Sequence, residues 1–137
     1  HMSGNLQSRF TDFLISDGEK PWRQREEEFA VRTVGRDELM TKWNTGWAVL
    51  LATLGTLTDE DLPRTVKIRA QDLTVSEALH RSLAHAAYHV GQLVYVAHAA
   101  RGDEWKYLSI APGESAVFNA DPTRDKPPKA ETQRERI

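Results

Sequence analysis

Two histidines stand four residues apart in the run Ala84-His85-Ala86-Ala87-Tyr88-His89. On a helix that spacing sets the side chains roughly 40° apart and one turn above each other, so both imidazoles can reach one cation from one face. Five histidines occur in the chain, at positions 1, 80, 85, 89 and 98. His80 projects roughly 140° from His85 and His98 roughly 180° from His89, so both are expected on the surface. Cysteine is absent, which removes thiolate ligands and leaves His, Asp and Glu to hold any metal. The His85/His89 face continues through Ala78, Gln92 and Val96, placing a small residue and an amide beside the rings.

A bare His-x-x-x-His also fits two hydrogen-bonded histidines on an ordinary helix. Surroundings favour the metal reading: Leu79, Leu83, Ala86, Val90, Leu93, Val94 and Ala97 cover more than one narrow stripe, so the helix is expected to be central and buried on most sides. Partly desolvated imidazoles need partners for their ring nitrogens, and a shared cation would supply one. Two imidazoles alone hold a divalent ion loosely, so another element must add a ligand. His1 is the candidate, with Asn5 and Arg9 following at helical steps along one face. Its His1-Met2 sequence equally matches the remnant that expression vectors leave, and position alone does not decide between the two.

The elements that would carry these residues follow from hydrophobic periodicity. Leu6, Phe10, Phe13 and Leu14 predict a first helix that stops at Asp17-Gly18. Ser16 to Arg36 reads as a long polar connection, partly helical around Glu26 to Phe29; a connection of this length commonly walls a site, which singles out Trp22 and Arg23. A second helix is expected from about Glu38 to Leu54, with Asp37 as N-cap and Leu39, Trp43, Trp47, Leu50 and Leu54 as its stripe. Val66-Lys67-Ile68-Arg69 alternates as a short extended piece or hairpin would. Thr74-Val75-Ser76-Glu77 has the form of a capping box, opening a long helix that runs to about Ala100 and leaves at Gly102. Residues 1–120 are expected to form one domain and residues 121–137 a polar tail.

With 137 residues and 39% hydrophobic content, one core is expected, and a formal charge of −2 gives no net pull toward nucleic acid or anionic membranes. No apolar run is long enough to span a bilayer, and no leader pattern opens the chain, so the sequence reads as soluble and cytoplasmic.

The runs His1-Met2-Ser3-Gly4-Asn5, Ser8 to Leu14, Asp17 to Arg23, Lys42-Trp43-Asn44-Thr45-Gly46-Trp47, Ala84 to Gln92 and Arg101 to Lys106 through Phe118-Asn119-Ala120 together resemble a bacterial branch, still of unknown function, of the DinB-like superfamily. The similarity covers about residues 1 to 120. It implies an all-α four-helix bundle holding a divalent metal (zinc, nickel or an iron-like ion) through three histidines, here His1, His85 and His89, with His1 native. It also implies metal-assisted transfer of a low-molecular-weight thiol to an electrophile; alternatives are a metal-dependent hydrolase and a non-catalytic metal-binding or stress-response module. Asn5, Arg9, Trp22, Arg23 and Gln92 are the candidate substrate contacts. The family's first helix would precede His1 and is missing from this sequence. Without it an apolar groove is expected, at about 25 cal/mol per Å² left in water, so truncation or a second copy filling the gap, and hence a homodimer, is expected. Metal identity, the thiol and the electrophile are not legible from residue types.

Overall fold

The computed structural model describes residues 1–122. The fold is all-α in the main: helices α1 (Met2–Phe10), α2 (Arg36–Thr56), α3 (Val75–Arg101) and α4 (Ser115–Ala120), with one hairpin, β1 (Thr65–Ile68) and β2 (Gln71–Thr74), between α2 and α3. Two compact units divide the chain, one comprising His1–Val96 and the other beginning at Ala97. The second holds the end of α3, a short 3-10 turn that begins at the left-handed Gly102, and α4; in it the exposed His98 stacks on Trp105. Most of the expected polar tail, residues 123–137, lies outside the described residues.

The first unit carries the core. Met2, Leu6 and Phe10 recur every four residues on α1 and are buried together with Phe13, Val66 and Ile68 of the hairpin, and Val75 and Ala78 of α3. Helix α1 stops at Phe10, earlier than its apolar spacing suggests, because Thr11 is extended and Asp12 takes a positive φ of 49°; Phe13 and Leu14 reach the core from the turn that follows. Helices α1 and α2 approach closely at Gly46, where a Cβ would fall 2.7 Å from Ser3 Cα. Gly46 is the buried residue of α2, whose first turn includes Asp37 and whose N-cap is Gly35.

The connection from Ser16 to Arg36 contains the expected helical turn at Glu26–Phe29, and its first part is fastened to α1. Ser8 is fully buried; its hydroxyl donates to the Gly18 carbonyl and accepts from the Lys20 amide. The Gly18 amide reaches the Lys67 carbonyl at 2.8 Å, joining the connection to β1. Strands β1 and β2 pair antiparallel with Ile68 opposite Gln71. Their two-residue turn, Arg69-Ala70, has φ of 56° and 60°, the left-handed geometry that matches strand twist but disfavours side chains.

Asp17 compensates for that turn. Its carboxylate accepts the backbone amides of Arg69 (2.9 Å), Ala70 (2.6 Å) and Glu19 (2.7 Å). Burial alone would raise its pKa, yet the three amides together hold it below the usual range. Asp17→Ala is expected to lower stability by about 1–3 kcal/mol at neutral pH. Because the folded pKa is depressed, this contribution is complete above the unfolded carboxylate value of about 3.9 and disappears as pH falls through the folded value. Urea titrations at pH 7 and pH 3 check it: the gap between wild type and variant should narrow at pH 3.

Helix α3 opens with the expected capping box: the Glu77 carboxylate accepts the Thr74 amide at 2.7 Å, and the Glu77 amide reaches the Thr74 hydroxyl at 3.1 Å. Its burial differs from expectation. Val75 and Ala78 are its buried residues, whereas Leu83, Leu93 and Val96 are 67%, 54% and 64% exposed. Apolar side chains on several faces of a helix permit burial without supplying the surfaces that would cover them. The stripe of α2 behaves likewise, with Leu39 and Leu54 exposed and Trp43, Trp47 and Leu50 against the core. Among the described residues no helix is long and apolar enough to cross a membrane.

Candidate metal centre

Helix α1 presents His1 from its N-cap, and the middle of α3 presents His85 and His89. One ring nitrogen of each lies within 4.8 Å of the others. His85 Nε2 is 3.2 Å from His1 Nε2 and 3.1 Å from His89 Nε2. Three nitrogens bound tetrahedrally at 2.0–2.1 Å would stand about 3.3 Å apart, so these spacings suit one cation between them.

The tautomers make the same point. His1 Nδ1 lies 2.7 Å from the Glu28 carboxylate, an acceptor, so in the neutral ring Nδ1 carries the proton and Nε2 a lone pair. His89 Nδ1 lies 2.8 Å from Gln92 Oε1 and is assigned in the same way. Both lone pairs aim at His85 Nε2, which has at most one proton to give and can satisfy only one of them. A cation would accept all three. Burial first, then the neighbouring His89 and the guanidinium groups of Arg23, Arg9 and Arg81, lowers the His85 pKa and favours its neutral, ligating form.

Glu28 is the residue that spacing did not reveal. It lies on the short turn of the long connection, 13% exposed in its side chain, with Arg23 donating to it through Nε and a terminal nitrogen at 2.9 Å each. That hydrogen bond outweighs burial, which alone would lower the Arg23 pKa, and leaves it raised. Gly4 permits the approach, since a Cβ there would fall on the Glu28 carboxylate. A carboxylate behind a ligating imidazole fixes its orientation and raises its basicity. Glu28→Gln is therefore expected to weaken divalent-ion affinity about 10–100-fold, as read by competition with a chelating indicator.

Beside His1 and His85 is a cavity of about 170 Å³. Five arginines line it: Arg9, Arg23, Arg25, Arg69 and Arg81. Asn5, Ser82 and Ile68 complete the wall. Arg9, 6% exposed, donates to the Gly18 carbonyl and to Glu19, which also accepts Arg69 at 2.8 Å. Burial lowers the Arg9 pKa. Burial alone would raise that of Glu19, but hydrogen bonds from Arg69 and Arg9 with their charges leave it lowered, so it remains ionised.

Of the residues singled out as substrate contacts, Asn5, Arg9 and Arg23 therefore line the cavity, with both guanidinium groups engaged by carboxylates. Gln92 stands behind His89. Trp22 is 54% exposed and is not among the lining residues. Arg25, Arg69 and Arg81 were missed. Arg81 had a signal, being four residues before His85 on the same helix face; Arg25 and Arg69 arrive from loops whose course no periodicity gives.

A search of curated proteins and of solved structures found no match. A family model described as "Protein of unknown function (DUF1572)" matches residues 1–114, and the chain belongs to that family.

Proposed function

We propose that His1, His85 and His89 hold one divalent cation, and that the chain is a metal-dependent enzyme acting on a small molecule bound in the adjoining cavity. The observation that carries this reading is the convergence of three Nε2 atoms, two of them on rings whose Nδ1 faces an acceptor, Glu28 or Gln92. Three neutral ligands leave coordination positions open, as catalytic sites do and closed structural sites do not. A zinc, nickel or iron-like ion there would supply Lewis acidity, lowering the pKa of a thiol or water entering the open position.

Within this reading, transfer of a low-molecular-weight thiol to an electrophile is the reaction the site suits best. The described residues lining the cavity include no carboxylate able to take a proton, and Glu28 is engaged by Arg23 and His1. Activation by lowered pKa alone suffices for a thiol, an intrinsically strong nucleophile. The resemblance to the DinB-like superfamily supports the same assignment.

Metal-free protein, reloaded with each candidate ion, should consume a fluorogenic electrophile at least tenfold faster with a small thiol than without it, and should lose this activity on chelation. Equal turnover without thiol would transfer the assignment to hydrolysis. No turnover by fully loaded protein with any of a panel of thiols and electrophiles, together with a large loss of thermal stability on chelation, would contradict catalysis and favour a metal-stabilised binding module.

A further inference from the structure

The cavity beside the three histidines has a charge that its own carboxylates do not balance. Glu28 serves Arg23 and His1, and Glu19 serves Arg9, Arg69 and, at 3.9 Å, Arg23. Arg25 is matched by Glu26, whose side chain is 87% exposed; a pair so open to water holds its arginine weakly. The Arg81 side chain makes no hydrogen bond or ion pair with any described residue, though it lines the cavity. Five guanidinium groups thus face three carboxylates, one of them in solvent.

This surplus is concave and sits beside buried cations, so its field is focused into the cavity rather than spread over a flat surface. The guanidinium fork matches a carboxylate or phosphate with two parallel hydrogen bonds, a recognition that a lysine would not give. Arg81 precedes His85 by one helical turn, which puts their Cβ atoms roughly 6 Å apart on one face. The volume, about 170 Å³, equals the liquid share of about five or six water molecules. That is room for an anionic head group and a short spacer.

We propose that the ligand of this site is a small molecule bearing a carboxylate or phosphate group, bound by Arg81 and Arg25 with Arg69 at the rim, while its reactive donor lies a few bonds away at the three-histidine centre. The inference rests on the metal-site reading for the donor end only. It assigns Arg81 and Arg25 to ligand binding. Arg9 and Arg23, already engaged by carboxylates, hold the wall.

The test is calorimetric titration of metal-free and zinc-loaded protein with malonate, inorganic phosphate and the neutral diamide of malonate, in wild type, Arg81→Gln and Arg25→Gln. Both variants should keep the wild-type circular dichroism spectrum and nearly the same thermal midpoint, because the Arg81 side chain has no ion pair with a described residue and Arg25 is held only by an exposed pair with Glu26 and a contact with the half-exposed Phe29 ring. Malonate or phosphate should bind saturably without metal, each variant should weaken binding at least tenfold, and the diamide should not bind; the tighter of the two anions identifies the head group. No saturable binding of either anion, or binding unchanged in both variants, would overturn the inference. So would anion binding that needs zinc and ignores Arg81→Gln, since the anion would then be a metal ligand only. Arginine-dependent anion binding by a protein that takes up no metal would support this inference while removing the metal reading.

Discussion

Replacing His85 or His89 by alanine is expected to weaken divalent-ion binding by more than about 100-fold, because loss of an orienting partner alone costs about 10–100-fold and here a ligand itself is removed. His85 is central to the cluster: its Nε2 is the atom that both other imidazoles approach. His80→Ala and His98→Ala serve as controls, since both side chains are exposed and neither belongs to the cluster. Isothermal titration with zinc measures the affinities directly. Linkage gives a second readout: an ion at 100 times its Kd stabilises the native state by about 2.7 kcal/mol. The wild type should gain that increment on metal addition and the two variants should lose nearly all of it. Their metal-free stabilities should stay close to wild type, as both rings are only partly buried.

The second large effect is on the fold that delivers His1. Phe10→Ala is expected to lower stability by about 3–5 kcal/mol. Phe10 is 2% exposed, packs on Phe13 with ring centroids 5.1 Å apart, and is among the largest fully buried side chains of a small core. Total stabilities of about 5–15 kcal/mol are usual, so the variant should be near its folding threshold. Urea denaturation should show a lower midpoint at an unchanged slope. Phe29→Ala should change stability by less than about 1 kcal/mol, since that ring is 51% exposed. Because α1 carries both Phe10 and His1, zinc should restore part of the lost stability of Phe10→Ala by selecting the folded state.

These residues also mark how far the sequence could be read. The His85/His89 pair, the Thr74/Glu77 capping box and the helical turn at Glu26–Phe29 are local patterns, and each has its expected form in the structure. The hairpin was legible through Val66 and Ile68, which alternate with Lys67 and point into the core. His1 reached the candidate site by likeness of ordered motifs, since nothing in its spacing from His85 ties the two together. Glu28 and Arg25 belong to the long connection and Arg69 to the hairpin turn, and their convergence depends on the fastening of Gly18 to β1 and on the left-handed Arg69-Ala70 turn. Those are long-range constraints with no period. The expected burial of α3 was an over-reading of composition: Leu83 and Leu93 are apolar, yet the chain supplies no surface over them among the described residues. The early end of α1 was likewise set by the backbone angles of Thr11 and Asp12, and not by the apolar repeat.

The most direct test of the account is X-ray absorption spectroscopy on protein loaded with one equivalent of zinc. Three histidine nitrogens at about 2.0–2.1 Å, falling to two in His1→Ala, are the result expected. A first shell with fewer than three imidazoles, or one that His1→Ala leaves unchanged, would contradict it.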